Sequence, residues 1–181
     1  MSGHNKWSKI KNKKAVTDSK KSKIFGKLAR LITTEAKKSG GDATSPNVRA
    51  VVEKAREFNM PNDNIDRAIA KAKETGGAQM ENITYEAYGP GGVALMIEVL
   101  TDNRNKTAAE VRHTLSKNGL ALANPGSASW AFEKKDGEWV PKSTMPISPE
   151  DTSKLEALID EFDDNEDVQE IFTNAEHTDS Q

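Results

Sequence analysis

Nine lysines, Lys6, Lys9, Lys11, Lys13, Lys14, Lys20, Lys21, Lys23 and Lys27, fall in the first 27 residues against a single acid, Asp18. Trp7 sits among them, and His4 and Arg30 extend the set at either end. Lysines at this density suit a polyanion, because each ammonium neutralises a phosphate and releases a condensed counterion. An indole in such a run can stack on an unpaired base. A second set lies in Thr101-Asp102-Asn103-Arg104-Asn105-Lys106-Thr107. This segment joins an apolar strand to a helix N-terminus, where unsatisfied N–H groups and the helix dipole favour an anion. Asn103, Arg104, Asn105 and Lys106 are the candidate contacts, with Arg112 further along the helix. The competing reading of this segment is an ordinary capped turn with solvated charges.

Catalytic and metal-binding patterns are scarce. The histidines, His4, His113 and His177, are isolated, and there is no cysteine. The glycines of Gly89-Pro90-Gly91-Gly92 precede a strand, so they do not form a dinucleotide fingerprint. Glu161, Asp163, Asp164, Glu166 and Asp167 do not follow the calcium-loop spacing and read as a solvated loop. The expectation is a protein that is not an enzyme and needs no cofactor or metal.

Charge is divided along the chain. Residues 1–80 hold 18 Lys+Arg against 8 Asp+Glu, a net of +10, and the remaining residues hold 8 against 20, a net of −12. The formal total of −2 hides this split, which implies a polyanion-binding part joined to a part that is not. The longest apolar run, Val93 to Leu100, contains Glu98 and is too short for a membrane span. The absence of cysteine suits a reducing compartment, so a cytoplasmic location is expected.

The elements that must position these residues are legible in the spacing. Residues 2–16 have no helical period and read as a flexible basic arm. Thr17 or Asp18 caps a helix carrying Ile24, Phe25, Leu28, Leu31 and Ile32, which stops near Ser39 at Gly40-Gly41. Ser45-Pro46 opens a second helix with Val48, Val51, Val52, Ala55 and Phe58. Pro61-Asn62 opens a third with Ile65, Ala68, Ile69 and Ala72, ended by Gly76-Gly77. Beyond this three-helix bundle come strands at 83–88 and 93–100 and a helix at 104–117. A strand follows at 127–132, with Trp130 and Phe132 on one face, and then a short return at Glu138-Trp139-Val140. A last helix carries Leu155, Leu158, Ile159 and Phe162, and a last strand spans 168–172. The predicted fold class is α+β: residues 1–78 form the basic arm and three-helix domain, and 79–176 form an α+β sandwich with an antiparallel sheet, ferredoxin-like in its layers. Residues 134–149 are a shortened insertion within it, and 177–181 are a tail.

Four stretches carry a family resemblance. Ser2-Gly3-His4-Asn5-Lys6-Trp7-Ser8-Lys9-Ile10, the run Asn59-Met60-Pro61-Asn62-Asp63-Asn64-Ile65-Asp66-Arg67-Ala68-Ile69, Tyr88-Gly89-Pro90-Gly91-Gly92-Val93-Ala94 and Leu100-Thr101-Asp102-Asn103-Arg104-Asn105 together resemble the YebC/PmpR family. Leu155 to Ala175 is similar to that family's closing segment. Family members usually carry a third domain inserted after a Trp-x-Phe strand, here Trp130-Ala131-Phe132, so this chain looks like a shortened member. The resemblance implies a cytoplasmic nucleic-acid-binding regulator. The family includes proteins described as DNA-binding transcriptional regulators, a mitochondrial translational activator, and bacterial members that help ribosomes through proline-rich stretches.

Three readings follow. The favoured one is a translation factor that docks on ribosomal RNA, and so on the ribosome, through the arm and the first domain. Next is a DNA-binding transcriptional regulator using the helices at 46–58 and 61–73. The last is a protein adaptor working through the acidic domain. No dimer seam is evident, which favours a monomer, and no membrane partner is expected.

Overall fold

The computed structural model describes residues 18–74, 77 and 79–176. The chain divides into two units that meet between Met80 and Glu81.

The first unit is helical. Helix α1 spans Asp18–Lys38, α2 spans Pro46–Glu57 and α3 spans Asn62–Lys71. Ile24, Leu28, Ile32 and Ala36 recur every four residues on α1 and are buried, the spacing that makes one apolar stripe on a helix. Val48, Val52 and Ala55 of α2, Met60, and Ile65 and Ala68 of α3 complete this core. The Thr33 hydroxyl ties α1 to α3 by donating to the Ala68 carbonyl at 2.8 Å. Helix α1 ends as expected: the Gly41 N–H returns to the Ala36 carbonyl at 2.8 Å, with Gly40 and Gly41 both at positive φ. Ser45 caps α2 by accepting from the Val48 N–H. Asn59 takes φ 60 and lets the Met60 N–H reach the Ala55 carbonyl at 3.0 Å, a Schellman stop supplied by Asn rather than Gly. Helix α3 is shorter than its sequence pattern. After Lys71, the Ala72, Lys73 and Glu74 N–H groups bond three residues back, so the last turn tightens instead of running on to Gly77.

The second unit is a layered α+β sandwich. Its sheet contains β1 (Glu81–Tyr88), β2 (Ala94–Thr101), β3 (Leu122–Ala123) and β6 (Val168–Thr173), in the order β3-β1-β2-β6. Every pairing in it is antiparallel. The β1–β2 hairpin forms the centre, with Glu81 opposite Thr101 at one end and Tyr88 opposite Ala94 at the other. Helices α4 (Arg104–Lys117) and α5 (Pro149–Asp163) cover one face. There Leu95, Ile97 and Val99 pack with Val111, Leu115, Leu158 and Phe162 in one buried cluster. The other face, through Ala94, Met96 and Phe172, packs against Ala128, Ala131, Phe132 and Trp139. Phe132 and Trp139 belong to a separate hairpin, β4 (Phe132–Lys135) and β5 (Glu138–Pro141). With both faces covered, β2 has to be apolar almost throughout.

The expected strand at 127–132 is not formed. Ser129–Ala131 is a turn of 3-10 helix, and extended structure begins only at Phe132. Its residues also diverge: Phe132 is buried while Trp130 is exposed. The third strand of the sheet is instead the two-residue β3, which has too little pattern to read from sequence.

The Gly89-Pro90-Gly91-Gly92 turn is a packing device. Gly91 sits at φ +72, and a Cβ there would lie 2.8 Å from the Ile147 side chain. Residues 145–147 strap across this end of the sheet, where Met145 bridges Ala175. Gly91→Ala is therefore expected to destabilise this unit by about 2 kcal/mol, combining backbone strain with a steric clash. Chemical denaturation of the variant checks this; an unchanged midpoint contradicts it.

Candidate nucleic-acid interface

The basic set divides into a part outside the described residues and a part that the structure locates. His4, Lys6, Trp7, Lys9, Lys11, Lys13 and Lys14, and with them the expected arm, lie outside the described residues. On α1, Lys20, Lys21, Lys23, Lys37 and Lys38 are exposed and Arg30 is half-buried. Lys23, Arg30 and Lys37 recur at seven-residue intervals and so share one face of the helix, with Lys20 one turn before them. Lys27 departs from the set: it is only 5% exposed, on the inner side with Ile24 and Leu28.

Helices α2 and α3 are the pair expected to act as a helix-turn-helix, but the charge of α3 does not suit a DNA groove, since its acids equal its cations. Asp63 and Asp66 are both exposed in the first half of α3, where a recognition helix reads base edges. They offset Arg67 and Lys71, which follow them.

The Thr101–Thr107 loop is built around a buried carboxylate. Asp167 is 7% exposed; its Oδ2 accepts from the Thr107 hydroxyl at 2.7 Å and from the Thr101 hydroxyl at 3.3 Å. The Asn103 N–H donates to the Thr101 hydroxyl at 2.9 Å. The Asn103 side chain then caps α4 by accepting from the Lys106 N–H at 3.1 Å. Asp167 is thus a structural buried group, not part of a solvated acidic loop. Around this frame Arg104, Asn105, Lys106 and Arg112 are all exposed. Arg104 pairs with Glu81 at 3.0 Å and Lys106 with Glu110 at 3.5 Å. Exposed pairs of this kind are weak and hold the two cations only loosely. Beside them, Lys106, Glu110, His113 and residues 164–167 line an open cleft of about 580 Å³. Its acids make it a poor anion site, and no group of residues able to hold a metal ion occurs among the described residues.

At the opposite end of the sheet is a feature that sequence reasoning missed. Glu86 is 7% exposed. Its carboxylate accepts three backbone N–H bonds, from Gly126 at 2.6 Å, Ala128 at 3.0 Å and Ser129 at 2.7 Å. Burial pushes the Glu86 carboxyl up, but these N–H donors prevail and hold it below its ordinary value. The clamp diverts residues 126–129 from a strand ladder, which is why the expected strand fails. It also fixes the loop beneath Trp130, whose indole N–H donates to the Tyr88 hydroxyl at 3.1 Å. The Tyr88 hydroxyl in turn donates to the Ser127 carbonyl. A lone Glu in the middle of a strand gives no warning of such a role.

Comparison with known proteins bears on the whole chain. A family model described as the TACO1/YebC protein N-terminal domain matches residues 5–75. A second, described as the TACO1/YebC second and third domain, matches 80–137 and 135–175. The chain belongs to the TACO1/YebC family. A relative in Fervidobacterium nodosum, named probable transcriptional regulatory protein, is 40% identical over all of this chain and 96% of its own length. One of the same name in Petrotoga mobilis is 49% identical over 98% of this chain and 72% of its own. A crystal structure of a conserved hypothetical protein, Aq1575 from Aquifex aeolicus, superposes with a TM-score of 0.80 at 29% identity, covering 97% of this chain and 99% of that one.

This TACO1/YebC chain is a shortened one. The Fervidobacterium alignment runs over 242 positions against 181 residues here. The two matched pieces of the second model meet at residues 135–137, which is the tip of the β4–β5 hairpin. Lys135 pairs with Glu138 across a two-residue turn with Asp136 at φ 50 and Gly137 at φ 80. Two adjacent positive φ values in an Asp-Gly pair make the turn type that closes a tight hairpin. The match to the second model thus changes pieces at the shortest connection a hairpin allows.

Proposed function

We propose that this TACO1/YebC member is a non-enzymatic nucleic-acid-binding regulator of gene expression that works as an RNA- and ribosome-associated translation factor. RNA is held by the lysines of residues 6–23, Arg30 and the exposed face of α1. The Arg104–Lys106 loop and Arg112 are a secondary contact. The single observation supporting this most strongly is the cationic face Lys20, Lys23, Arg30 and Lys37 on α1, in a first unit whose candidate recognition helix carries two exposed acids. A lysine-rich surface that tracks a backbone suits folded RNA, which is recognised by shape and phosphate more than by groove readout. The acidic second unit orients the molecule with its basic unit toward the polyanion. We read the protein as a cytoplasmic monomer. No helix among the described residues is long and apolar enough to cross a membrane.

The second reading, a DNA-binding transcriptional regulator, has the names of the relatives and the short connection between α2 and α3 in its favour. Competition between a folded RNA and a DNA duplex of matched length separates the two. The RNA is expected to win by about tenfold, without dependence on the DNA sequence. Tighter, sequence-dependent binding to the duplex overturns the translational reading.

A further inference from the structure

We propose that Trp130, supported by Tyr88 and flanked by Lys142, is a stacking site for an unpaired base of single-stranded RNA. This deepens the nucleic-acid reading above and rests on it. Trp130 is 62% exposed and Tyr88 38%, the exposed large hydrophobic side chains among the described residues. Scattered exposed apolar residues are ordinary; what distinguishes this one is how it is held. The indole spends its single N–H on the Tyr88 hydroxyl, and that hydroxyl spends its own proton on the Ser127 carbonyl. The polar edge of the indole is therefore satisfied within the protein, while most of the ring stays open to solvent. The loop underneath is fixed by the three N–H bonds to Glu86, so the ring is presented in one orientation before any partner arrives. Pre-ordering of this kind removes an entropic cost that a mobile aromatic must meet on binding.

Local charge favours a nucleic acid as the occupant. The second unit has 20 acids, yet segments 87–97 and 118–132, which carry Tyr88 and Trp130, contain no charged residue, and the Glu86 carboxylate beneath them is buried and taken up by three N–H groups. A polyanion thus meets no carboxylate from these segments. A main-chain neighbour of Ala131 adds a cation: the Lys142 backbone N–H donates to the Ala131 carbonyl at 2.9 Å, and Lys142 is exposed. A base stacked on the indole brings its phosphate within reach of an ammonium on a long stem. Every base has a π-face, so such a site selects for unpaired strands rather than for sequence. It also lies at the Tyr88–Ala94 end of the sheet, away from the Arg104 loop at the Glu81–Thr101 end.

The test uses the full chain and two fluorescein-labelled probes, a short oligoadenylate RNA and an RNA duplex of the same length. Trp130→Ala is expected to weaken oligoadenylate binding about tenfold and duplex binding by less than about twofold, because only the unpaired base stacks. Trp130→Phe, which keeps an aromatic face, is expected to recover most of the loss. Lys142→Ala is expected to lower the salt slope for the single strand by about 0.7, one phosphate contact. If Trp130→Ala binds oligoadenylate as the wild type does, or weakens both probes equally, the stacking site is wrong while the nucleic-acid reading stands. Loss of a protein partner with unchanged RNA binding overturns it in favour of a protein-docking surface. A wild-type chain that binds neither probe overturns both readings together.

Discussion

Replacing Lys20, Lys23 and Lys37 together with alanine is expected to lower RNA affinity by about two orders of magnitude near 0.1 M salt, and to reduce the slope of log affinity against log salt by about 2 to 3. Each lysine that contacts a phosphate releases its share of counterions, so removing three contacts changes both the affinity and its salt dependence. The three side chains are exposed on α1, and none belongs to the buried stripe Ile24, Leu28, Ile32 and Ala36, so the fold should survive. The matching triple on α3 and the turn that follows it, Arg67, Lys71 and Lys73 to alanine, is expected to change RNA affinity by no more than about threefold, the scale of surface charge effects away from the contact. A helix-turn-helix protein reverses this order. Equilibrium titrations across a salt series check both variants, and a large loss from the α3 triple with none from the α1 triple refutes the assignment.

Glu86→Ala is expected to cost about 3 to 4 kcal/mol of stability in the second unit. It removes the acceptor for three backbone N–H groups, each bond to a charged partner being worth about 1.5 to 3 kcal/mol and the three not fully additive. The Gly126, Ala128 and Ser129 amides should lose hydrogen-exchange protection, and Trp130 its fixed orientation. A Gln at this position keeps one carbonyl oxygen but turns an NH2 toward N–H donors, so it should recover only part of the loss. The same clamp makes the wild type sensitive to acid. The Glu86 carboxyl is held below its ordinary value of 4.5 in the folded chain, so its contribution is fully present above that value. It is lost as pH falls through the lowered folded value, when the carboxyl binds a proton and can no longer accept all three bonds. Unfolding measured from neutral pH downward should show the gap between wild type and Glu86→Gln closing only below pH 4.5. A gap that is constant down to strongly acid pH contradicts the clamp.

Much of the helical structure could be read from local chemistry. Ser45-Pro46 and Gly40-Gly41 act on the chain beside them, and α2 begins and α1 ends where those residues require; α4 also starts at Arg104, though its cap is Asn103 rather than the expected Thr101-Asp102. Local signals failed where a distant partner decided the outcome. Nothing near residues 126–129 announces that Glu86, some 40 residues earlier in the chain, will take their N–H groups and abolish a strand. Burial of Lys27 and Asp167 is likewise a tertiary result: both look like solvent charges until the helix face or the threonine pair around them is known. The β4–β5 hairpin is an intermediate case. Glu138-Trp139-Val140 read as a short return, and Asp136-Gly137 was the available signal for the tight turn before it. That the family match breaks at this same turn is marked by nothing in the local sequence.

The candidate site was legible to a similar extent. The lysine run and the charge split point to a polyanion from composition alone. The aromatic platform at Tyr88 and Trp130 was not visible in sequence, because Trp130 was expected to share a strand face with Phe132, and only the clamped loop turns it outward.

Co-sedimentation of the full chain with ribosomes, at low and at moderate salt, decides whether the ribosome is the partner. The wild type is expected to pellet with ribosomes at low salt and less at moderate salt, and the Lys20, Lys23 and Lys37 alanine triple to stay in the supernatant at both. A wild-type chain that stays in the supernatant at low salt, while binding one promoter duplex tightly at moderate salt, contradicts the translational reading.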